Sequence, residues 1–461
     1  MPQHASVVIV GAGLAGLTTA LGLHRAGVDV LIVEAAEGPG GRIATVTFPD
    51  GATAEIGAQE FWTGGAAYPL LTALELPMVT GPGRSSMIID GELHEYGRRS
   101  ESDLAGFSTL SALVNRYRHA PASAPHDPTI QELINAVVGH TPAAEWARIL
   151  LEIETASGWD DLAAADGMAE LAPFFGGQDG LGQPCGWVAG GNAAVVRALI
   201  DRLPGDAVQY RTSVRRIADG RAGDSRPGAG RSGVTISGVR DDGRDWAATA
   251  DHVVVAVPPW RAVEIDLDLH STLPIRHALS SIGTGGYLKV VLRLRSEFAG
   301  RWAAHGAELF PLLTDSAAGC LYLDDPGDGR DLVLTALVPQ PRAGALFGCS
   351  TEAAVSAIVR TLEQLPIHAG ATGAAGLFAG LSGHVTGHRV YPHPQAVTRW
   401  SAQLRRSRFD PLSAMIRRPH GRVHLAGDGT ECCHTDGAVA SAGRVVGQIL
   451  GLAEDGIRVP A

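Results

Sequence analysis

Two short runs of apolar, β-branched residues near the amino terminus enclose a segment with helical periodicity. The runs are Ser6–Val10 and Val28–Val33. Between them, apolar positions recur at helical spacing and end near Gly27, at Leu14, Leu17, Leu21 and Leu23. A strand, a helix and a second strand within about thirty residues form a βαβ unit. Because such a unit joins parallel strands, the pattern predicts a parallel sheet at the start of the chain.

The predicted secondary structure of the rest of the chain changes from mainly helical to mainly strand. Residues 85–185 are Ala-rich and mainly helical in pattern, whereas residues 280–340 read mainly as strands. Further strands are predicted at Val208–Tyr210, Gly233–Ile236, His252–Val257, Tyr287–Leu294, Gly319–Leu323, Leu332–Leu337 and Arg422–Leu425. Further helices are predicted at Ala193–Arg202, Thr351–Gln364 and Gly437–Leu450. We therefore expect the first fold to be interrupted by two insertions that build a second domain.

Composition and charge narrow the class of protein. With 461 residues, the chain favours two domains over one core. The net charge is −11 and the basic residues are dispersed, so a nucleic-acid partner is not expected. No run of about 18 apolar residues occurs, so no membrane span is expected. The five cysteines lack a disulfide or metal pattern, and the first residues lead straight into a strand, which together predict a cytoplasmic location.

A glycine-rich turn, GAGLAG, joins the first predicted strand to the first helix. Gly11 permits a tight turn, Gly13 lets a pyrophosphate approach the backbone, and Gly16 lets helix and strand pack closely. The amino terminus of the helix offers N–H groups and partial positive charge to phosphates. Glu34 ends the second strand 23 residues after Gly11, where its carboxylate can bind ribose hydroxyls. This context predicts a dinucleotide site, and the alternative is an ordinary glycine turn.

A second glycine turn, GPGGR, follows Glu34 and ends with Gly41 and Arg42. A guanidinium can grip phosphate oxygens through two parallel hydrogen bonds, which suits a long bound pyrophosphate. The acidic residue followed by this Gly-Gly-Arg run resembles the flavin (FAD-dependent) amine oxidase superfamily, which includes monoamine, polyamine and L-amino-acid oxidases. The resemblance implies a bound FAD.

The resemblance extends along nearly the whole chain. A segment with Gly57, Ala58 and Gln59 resembles the family's segment beneath the flavin, and Trp400 resembles its tryptophan near the flavin ring. The strand around Val214 is similar to the one whose backbone holds the adenine, so Val214 is the expected adenine contact. Attachment through cysteine needs a Cys-Tyr pair that this chain replaces with Ser-Arg-Phe at 407–409, so non-covalent FAD is expected.

The carboxyl-terminal part resembles the family's closing flavin motif. Gly427 allows close approach and Asp428 can bind the ribityl or phosphate end of the cofactor. The following helix, with Asp436 as its expected N-cap, directs its positive end at the flavin, and Thr435 to Ala438 are expected to supply the N–H groups.

The fold class implied is α/β: an interrupted Rossmann-like FAD-binding domain with a mixed α+β substrate-binding domain. The expected FAD-binding domain comprises residues 1–80, 190–270 and 390–461. The expected substrate-binding domain comprises residues 81–189 and 271–389.

Three residues are candidates for catalysis. Lys289 lies in an otherwise apolar strand, where burial of an ammonium requires a partner or a role. The resemblance implies that Lys289 holds a water near flavin N5 and assists oxygen chemistry, and the alternative is an exposed strand face. His434 stands where relatives have an aromatic residue, so it is expected to stack on the substrate, to hydrogen-bond a polar substrate or to act as a base near neutral pH. The alternative is a partly exposed loop histidine. Glu60 is expected to attract a cationic amine or to polarise a hydroxyl, and the alternative is a salt bridge with Arg42 or another arginine.

The leading hypothesis is oxidation of an amine or amino acid by hydride transfer to flavin N5, with molecular oxygen as electron acceptor. One alternative is a desaturase or dehydrogenase of the same fold acting on C–C bonds, and another is a flavin-binding protein without turnover. The histidines at 384, 388 and 393 are only loosely spaced like ligands, so no metal is expected. The sequence does not determine the oligomeric state, and a homodimer is one of the alternatives.

Overall fold

The computed structural model describes residues 3–80, 85–96, 104–119, 128–175, 185–219, 233–269, 272–302, 309–325, 328–366, 376–399 and 412–452. The strands are β1 (Gln3–Val10), β2 (Val30–Val33), β3 (Thr45–Thr47), β4 (Thr53–Glu55), β5 (Phe61–Trp62), β6 (Met78–Thr80), β7 (Ser85–Ile89), β8 (Glu92–Tyr96), β9 (Cys185–Val188), β10 (Val208–Gln209), β11 (Thr212–Asp219), β12 (Val234–Arg240), β13 (Asp245–Val255), β14 (Asp266–Asp268), β15 (Gly283–Leu294), β16 (Leu312–Thr314), β17 (Cys320–Asp324), β18 (Leu332–Pro339), β19 (Val385–Arg399) and β20 (Val423–Leu425).

The helices are α1 (Leu14–Arg25), α2 (Ala67–Ala73), α3 (Phe107–His119), α4 (Ile130–Val137), α5 (Pro142–Thr155), α6 (Ala164–Leu171), α7 (Ala193–Ile200), α8 (Pro259–Ala262), α9 (Thr272–Ser280), α10 (Gln340–Ala343), α11 (Thr351–Glu363), α12 (412–417) and α13 (His434–Leu450). No helix in the described ranges combines the length and the hydropathy that a bilayer crossing requires.

The first sheet is built around β1, whose run of four apolar residues before the turn is buried on both faces. Its strand order is β10-β2-β1-β13-β12-β11-β14, with β20 also paired to β13. β1 is parallel to both β2 and β13, which confirms the predicted βαβ unit. β13 begins at Asp245, earlier than the predicted His252, because its first half alternates between exposed and buried residues in a hairpin with β12.

The second sheet has the order β19-β15-β18-β17-β16-β7-β8. Its edge strand β19 pairs antiparallel with β15 and was not predicted from the sequence. Pro392 and Pro394 interrupt the pattern of this strand, and an edge strand tolerates proline because one row of its N–H groups needs no partner. The expected domain boundary at residue 390 falls inside β19.

Helices α3 to α6 form a layer against the second sheet, as the Ala-rich pattern of this region indicated. Their shared core contains Trp146, which is almost fully buried and packs edge-on against Phe107 and Phe175. The region begins with the β7–β8 hairpin rather than with a helix. The structure thus has the mixed α/β architecture predicted, with two large sheets and a helical layer.

The two ends of the chain meet on the first sheet. β1 and β20 both run parallel to β13, so the carboxyl ends of all three strands lie at the same edge of the sheet. Helix α13 packs along α1, and Val446 of α13 lies against Gly22 of α1. This arrangement brings the closing motif next to the opening glycine turn.

The opening turn depends on two glycines for different reasons. A Cβ at Gly16 would lie 2.0 Å from the Gly11 carbonyl oxygen, so helix and strand pack too closely there for any side chain. Gly13 is the N-cap of α1, and no atom lies within 4 Å of its Cβ position. Gly16 is therefore required for packing, whereas the space beside Gly13 is open.

We expect Gly16→Ala to destabilise the protein by about 3 kcal/mol, because the clash involves backbone that cannot move without separating α1 from β1. Gly13→Ala, the matched control, is expected to change the free energy of unfolding by less than about 1 kcal/mol. Urea denaturation of protein stripped of bound nucleotide measures both. Equal losses of stability in the two variants would contradict this assignment.

Candidate functional site

The acidic residue at the end of β2 faces the opening glycine turn. The Glu34 carboxylate accepts hydrogen bonds from the amides of Ala12 (2.7 Å) and Ala36 (2.8 Å). The Glu34 carbonyl oxygen accepts from the Thr212 amide at 2.9 Å, which ties the start of β11 to this edge of the sheet. Val214, the expected adenine contact, lies two residues further along the same strand. Its contact with a nucleotide stays a prediction.

The second glycine turn lies directly against the first. The Gly40 amide donates to the Ala12 carbonyl oxygen at 2.8 Å, and the Cβ position of Gly41 lies 3.4 Å from Gly13 Cα. Two glycine-rich backbones in contact leave a surface free of side chains, which is what a phosphate needs to approach N–H groups closely.

Arg42 leaves this second turn and pairs with Asp428 of the closing motif. Arg42 Nη1 donates to Asp428 Oδ2 at 2.8 Å and to the Ala396 carbonyl oxygen at 2.9 Å, and Thr398 Oγ1 donates to Asp428 Oδ2 at 2.8 Å. Burial alone would raise the pKa of the Asp428 carboxyl, but the Arg42 guanidinium holds it below its usual value. Asp428 therefore stays anionic, and Arg42 is paired with it rather than with Glu60.

Helix α13 begins three residues earlier than predicted, at His434. The expected N-cap, Asp436, was wrong: Cys433 occupies that position, and the Asp436 carboxylate instead accepts the Ala67 amide at 2.8 Å. The earlier start places Thr435 in the first turn of the helix and Ala438 in the second. Their contacts with a flavin stay predictions.

Lys289 is buried beneath the segment that contains Gly57 and Gln59. Its side chain is 2% exposed, so the alternative of an exposed strand face was wrong. Its ammonium donates to the carbonyl oxygens of Glu55 (2.9 Å) and Gly57 (2.8 Å) and to Gln59 Oε1 (2.7 Å). Burial disfavours the charged form and lowers the pKa of Lys289 to about 7.

Asn192 holds the same segment from the other side. Its Nδ2 donates to the carbonyl oxygens of Ala58 (3.0 Å) and Gln59 (3.1 Å), and its backbone amide donates to Glu55 Oε1 at 2.8 Å. Lys289 and Asn192 together fix the course of residues 55–59 through buried hydrogen bonds. The position of this segment is therefore determined by two polar residues from distant parts of the chain.

Glu60 comes directly after this segment and is half-buried. Burial raises the pKa of its carboxyl to about 7, although a hydrogen bond with Cys185 and the charge of Lys289 both act to lower it. A carboxyl with this pKa changes between its protonated and ionised forms near neutral pH. Of the neighbouring aromatic residues, Phe61 is fully buried, and Trp62 packs edge-on against Phe174 with ring centroids 5.2 Å apart.

Two further glutamates approach the same space from the helical layer and were missed by the sequence analysis. His434 Nε2 lies 3.0 Å from Glu170 Oε2 on α6 and 3.9 Å from Glu154 Oε2 on α5. Cys433 Sγ donates to Glu170 Oε1 at 2.5 Å. Along the sequence both glutamates look like ordinary solvated helix positions, so no local signal marked them. His434 is therefore not a loop residue: it is the first residue of α13 and is paired with acids. Its contact with a substrate stays a prediction.

Tyr287 joins strand β15 to the end of helix α5. It precedes Lys289 by two residues on β15, so both side chains lie on one face of the strand. Its hydroxyl donates to the carbonyl oxygens of Ile153 and, at 3.1 Å, Glu154. Burial raises the pKa of Glu154 to about 7, and the negative charges of Glu170 and Glu60 raise it further, although His434 opposes this. Three carboxyls therefore influence one another in one region.

The acidic region is defined as Glu60, Glu154 and Glu170. Burial would raise the pKa of Glu170, but the charge of His434 and hydrogen bonds from His434 and Cys433 lower it. Burial would likewise lower the pKa of His434, but Cys433 and Glu170 raise it well above its usual value. Glu170 and His434 form an internal ion pair, which leaves Glu60 and Glu154 as carboxyls without an arginine partner among the interactions of the described residues.

The arrangement at the edge of the first sheet fits a dinucleotide. Helices α1 and α13 follow strands whose carboxyl ends lie at one edge, so their positive ends both face that edge. Arg42 lies at the same edge, where Asp428 balances its charge. The Cβ positions of Gly13 and Gly427 have no atom within 4 Å. Two converging helix dipoles with open backbone between them favour a bound anion such as a pyrophosphate. Trp400, the expected ring contact, lies outside the described residues.

Comparison with known proteins agrees with this geometry. The chain is 32% identical over 238 residues to lysine-specific histone demethylase 1 homolog 2 of Oryza sativa subsp. japonica, which covers 48% of this chain and 30% of that protein. It is 55% identical over 40 residues to hydroxyneurosporene desaturase of Cereibacter sphaeroides, 9% of this chain and 8% of that one. The chain therefore spans less than a third of either of these curated relatives.

Solved structures show the same fold. Cyclohexylamine oxidase from Brevibacterium oxydans IH-35A superposes with a TM-score of 0.75 at 19% identity, covering 97% of this chain and 99% of that one. Putrescine oxidase bound to putrescine superposes with a TM-score of 0.73 at 21% identity. The match covers 98% of this chain and 100% of that one. The model of the flavin-containing amine oxidoreductase family matches residues 14–450. The chain therefore belongs to the flavin-containing amine oxidoreductase family.

Proposed function

We propose that the protein oxidises a small amine at the carbon next to nitrogen, with non-covalently bound FAD and molecular oxygen as the electron acceptor. The observation that carries the proposal is the acidic region of Glu60, Glu154 and Glu170, which lies on the same side of β15 as Lys289. Partly buried carboxyls without an arginine partner carry an electrostatic cost that a cation can offset. A protonated amine supplies that charge.

The cofactor would be held by the residues of the two glycine turns, the 55–59 segment and the closing motif. These are Gly11, Gly13, Gly16, Glu34, Gly41, Arg42, Gly57, Ala58, Gln59, Val214, Trp400, Gly427, Asp428, Thr435 and Ala438. When bound, the flavin supplies the hydride acceptor and delivers the electrons to oxygen.

The protein's own residues prepare the substrate. An amine in water carries a proton near neutral pH, and its nitrogen lone pair is then occupied. Glu60, with a pKa of about 7, accepts this proton at a carboxylate oxygen and leaves the neutral amine that can release a hydride. Glu154 attracts the cation on entry, and the surrounding apolar core limits access of water.

A second candidate function is suggested by the short similarity to hydroxyneurosporene desaturase. A C–C desaturase acts on an apolar chain, which brings no positive charge to compensate Glu60 and Glu154. Burial of these carboxyls against a hydrocarbon would cost several kcal/mol unless both were protonated. The acidic region therefore favours an amine.

Anaerobic reduction of the bound flavin tests the proposal. We expect primary and secondary amines to bleach the oxidised flavin absorbance, and readmitted oxygen to restore it rapidly. Amino acids and polyenes are run in parallel. Bleaching by polyenes alone would indicate the desaturase, slow recovery in oxygen would indicate a dehydrogenase, and no bleaching by any compound would favour a flavin-binding protein without turnover.

Lys289→Met is expected to slow reoxidation of the reduced flavin by roughly 10²-fold, because a preorganised positive charge is lost where oxygen is reduced. FAD occupancy, measured from the absorbance ratio, is expected to change little. Asn192→Ala is the control, since it loosens the same 55–59 segment and keeps the ammonium. Equal slowing in both variants would mean that Lys289 acts only by holding the segment.

The KM for a cationic amine is expected to fall as pH rises through about 7. Below this pH the Glu60 carboxyl is protonated and neutral, and above it the carboxylate attracts the cation. Lys289 loses its proton over the same range, so its repulsion falls together with the rise in attraction. For one group with this pKa, the ionised fraction rises roughly tenfold between about pH 6 and about pH 8.

Glu60→Gln is expected to flatten this pH dependence. Glu145→Gln serves as control, because Glu145 lies on the same helix as Glu154 but pairs with Arg148. Steady-state kinetics across the pH range measure both variants. If the pH profile of KM is unchanged in Glu60→Gln, Glu60 does not bind the substrate cation.

A further inference from the structure

Three different metal-binding side chains converge at the start of α13. The carboxylate of Glu170, the thiol of Cys433 and the imidazole of His434 each offer one donor atom, and these atoms all lie within 4.8 Å of one another. Cys433 Sγ lies 2.5 Å from Glu170 Oε1, and His434 Nε2 lies 3.0 Å from Glu170 Oε2. We call these three residues the thiol cluster. It joins α6 to α13 across more than 260 positions of sequence.

The chemistry of the donors selects the kind of ion. Thiolate, imidazole and carboxylate are the three ligand types of Zn²⁺ sites, in which donor atoms lie roughly 2.0–2.3 Å from a tetrahedral ion. Glu154 Oε2, 3.9 Å from His434 Nε2, adds negative charge beside the cluster. Calcium and magnesium prefer all-oxygen sites, so a thiol and an imidazole argue against both.

The backbone at His434 is unusual in a way that serves this cluster. His434 has φ +71° although it is not glycine, and it is the first residue of a regular helix. Left-handed backbone is uncommon for such a residue and clusters at functional sites. Here it accompanies an imidazole that is turned onto Glu170, next to the thiol of the preceding residue.

We propose that Glu170, Cys433 and His434 form a binding site for Zn²⁺ or a similar thiophilic divalent ion, and that the ion is a reversible inhibitor. Binding forms metal–sulfur, metal–nitrogen and metal–oxygen bonds in place of the two hydrogen bonds to Glu170. The Cys433 thiol and the protonated His434 each release one proton to solvent, and no electrons are transferred.

Inhibition follows from the position of the site. Glu170 belongs to the acidic region, and Glu154 lies next to His434. An ion at the thiol cluster places positive charge where the amine cation would bind, so it competes with the substrate. This consequence rests on the proposed amine oxidation, whereas metal binding itself does not.

Binding is tested on the FAD-loaded enzyme after treatment with a chelator and its removal. Cobalt(II) is the probe, because a thiolate-bound tetrahedral Co²⁺ absorbs in the red, where oxidised flavin does not. We expect one equivalent of Co²⁺ to give these bands and Zn²⁺ to displace them. Loss of a residue that only hydrogen-bonds a metal ligand typically weakens metal binding by roughly 10–100-fold. Cys433→Ala removes a direct ligand, so it should weaken Co²⁺ binding by more than this.

Cys432→Ala is the matched control. Cys432 is the adjacent cysteine, it is exposed, and it is not part of the thiol cluster. This variant is expected to keep the Co²⁺ bands. Absence of the bands in the unmodified enzyme, their persistence in Cys433→Ala, or their loss in Cys432→Ala would each overturn the site.

Inhibition is measured separately, as the effect of Zn²⁺ on amine turnover relative to each variant's own metal-free rate. We expect Zn²⁺ to raise the KM for the amine without lowering kcat, and Cys433→Ala to lose this effect. Cobalt bands without any inhibition would overturn the inhibitory role and leave the site. If no amine is oxidised, the proposed function fails, and the cobalt titration still decides on the site.

Discussion

The ion pair between Arg42 and Asp428 joins the two ends of the chain where the first sheet presents the carboxyl ends of its parallel strands. The Asp428 side chain is 3% exposed, and its charge is stabilised by hydrogen bonds from Arg42, Thr398 and the Gly429 backbone. Arg42 in turn comes from the second glycine turn, which lies against the first. The pair therefore sets the relative position of the opening turn, the second turn and the closing motif, and with them the proposed cofactor cradle.

A second group of largely buried charges lies around Lys289 and the first residue of α13. Lys289 and Asn192 hold the 55–59 segment in place, and Glu60 follows this segment directly. Across from it, Glu154 and Glu170 come from the helical layer, and His434 comes from the first turn of α13. Low-polarity surroundings make each of these groups sensitive to its neighbours. Burial raises the pKa of Glu60 and of Glu154 to about 7, although the charges of Lys289 and His434, respectively, act to lower it. The same electrostatic feature underlies the proposed preference for amines and the proposed metal inhibition.

Several differences between the sequence analysis and the structure have a common origin. β19 was missed because its two prolines argue against a central strand, whereas at an edge they are tolerated. Asp436 looks like an N-cap by residue type, but the chain starts the helix at His434, and the aspartate binds the Ala67 amide instead. Glu154 and Glu170 look like solvated helix positions until α5 and α6 are packed against the start of α13. In each case a distant partner decides the role of the residue.

The sequence by itself determined the parts of this protein that depend on local physics. These are the βαβ unit, the two glycine turns, the acidic end of β2 and the apolar strand that contains Lys289, whose burial the sequence left open. A family resemblance extended them to the overall architecture. Only the tertiary structure decided which charges meet: Arg42 with Asp428, Lys289 with the 55–59 segment, and His434 with Glu154 and Glu170. Periodicity and turn chemistry act over a few residues and can be read along the chain. Electrostatic partners are chosen by packing across hundreds of residues, and no local pattern carries that information.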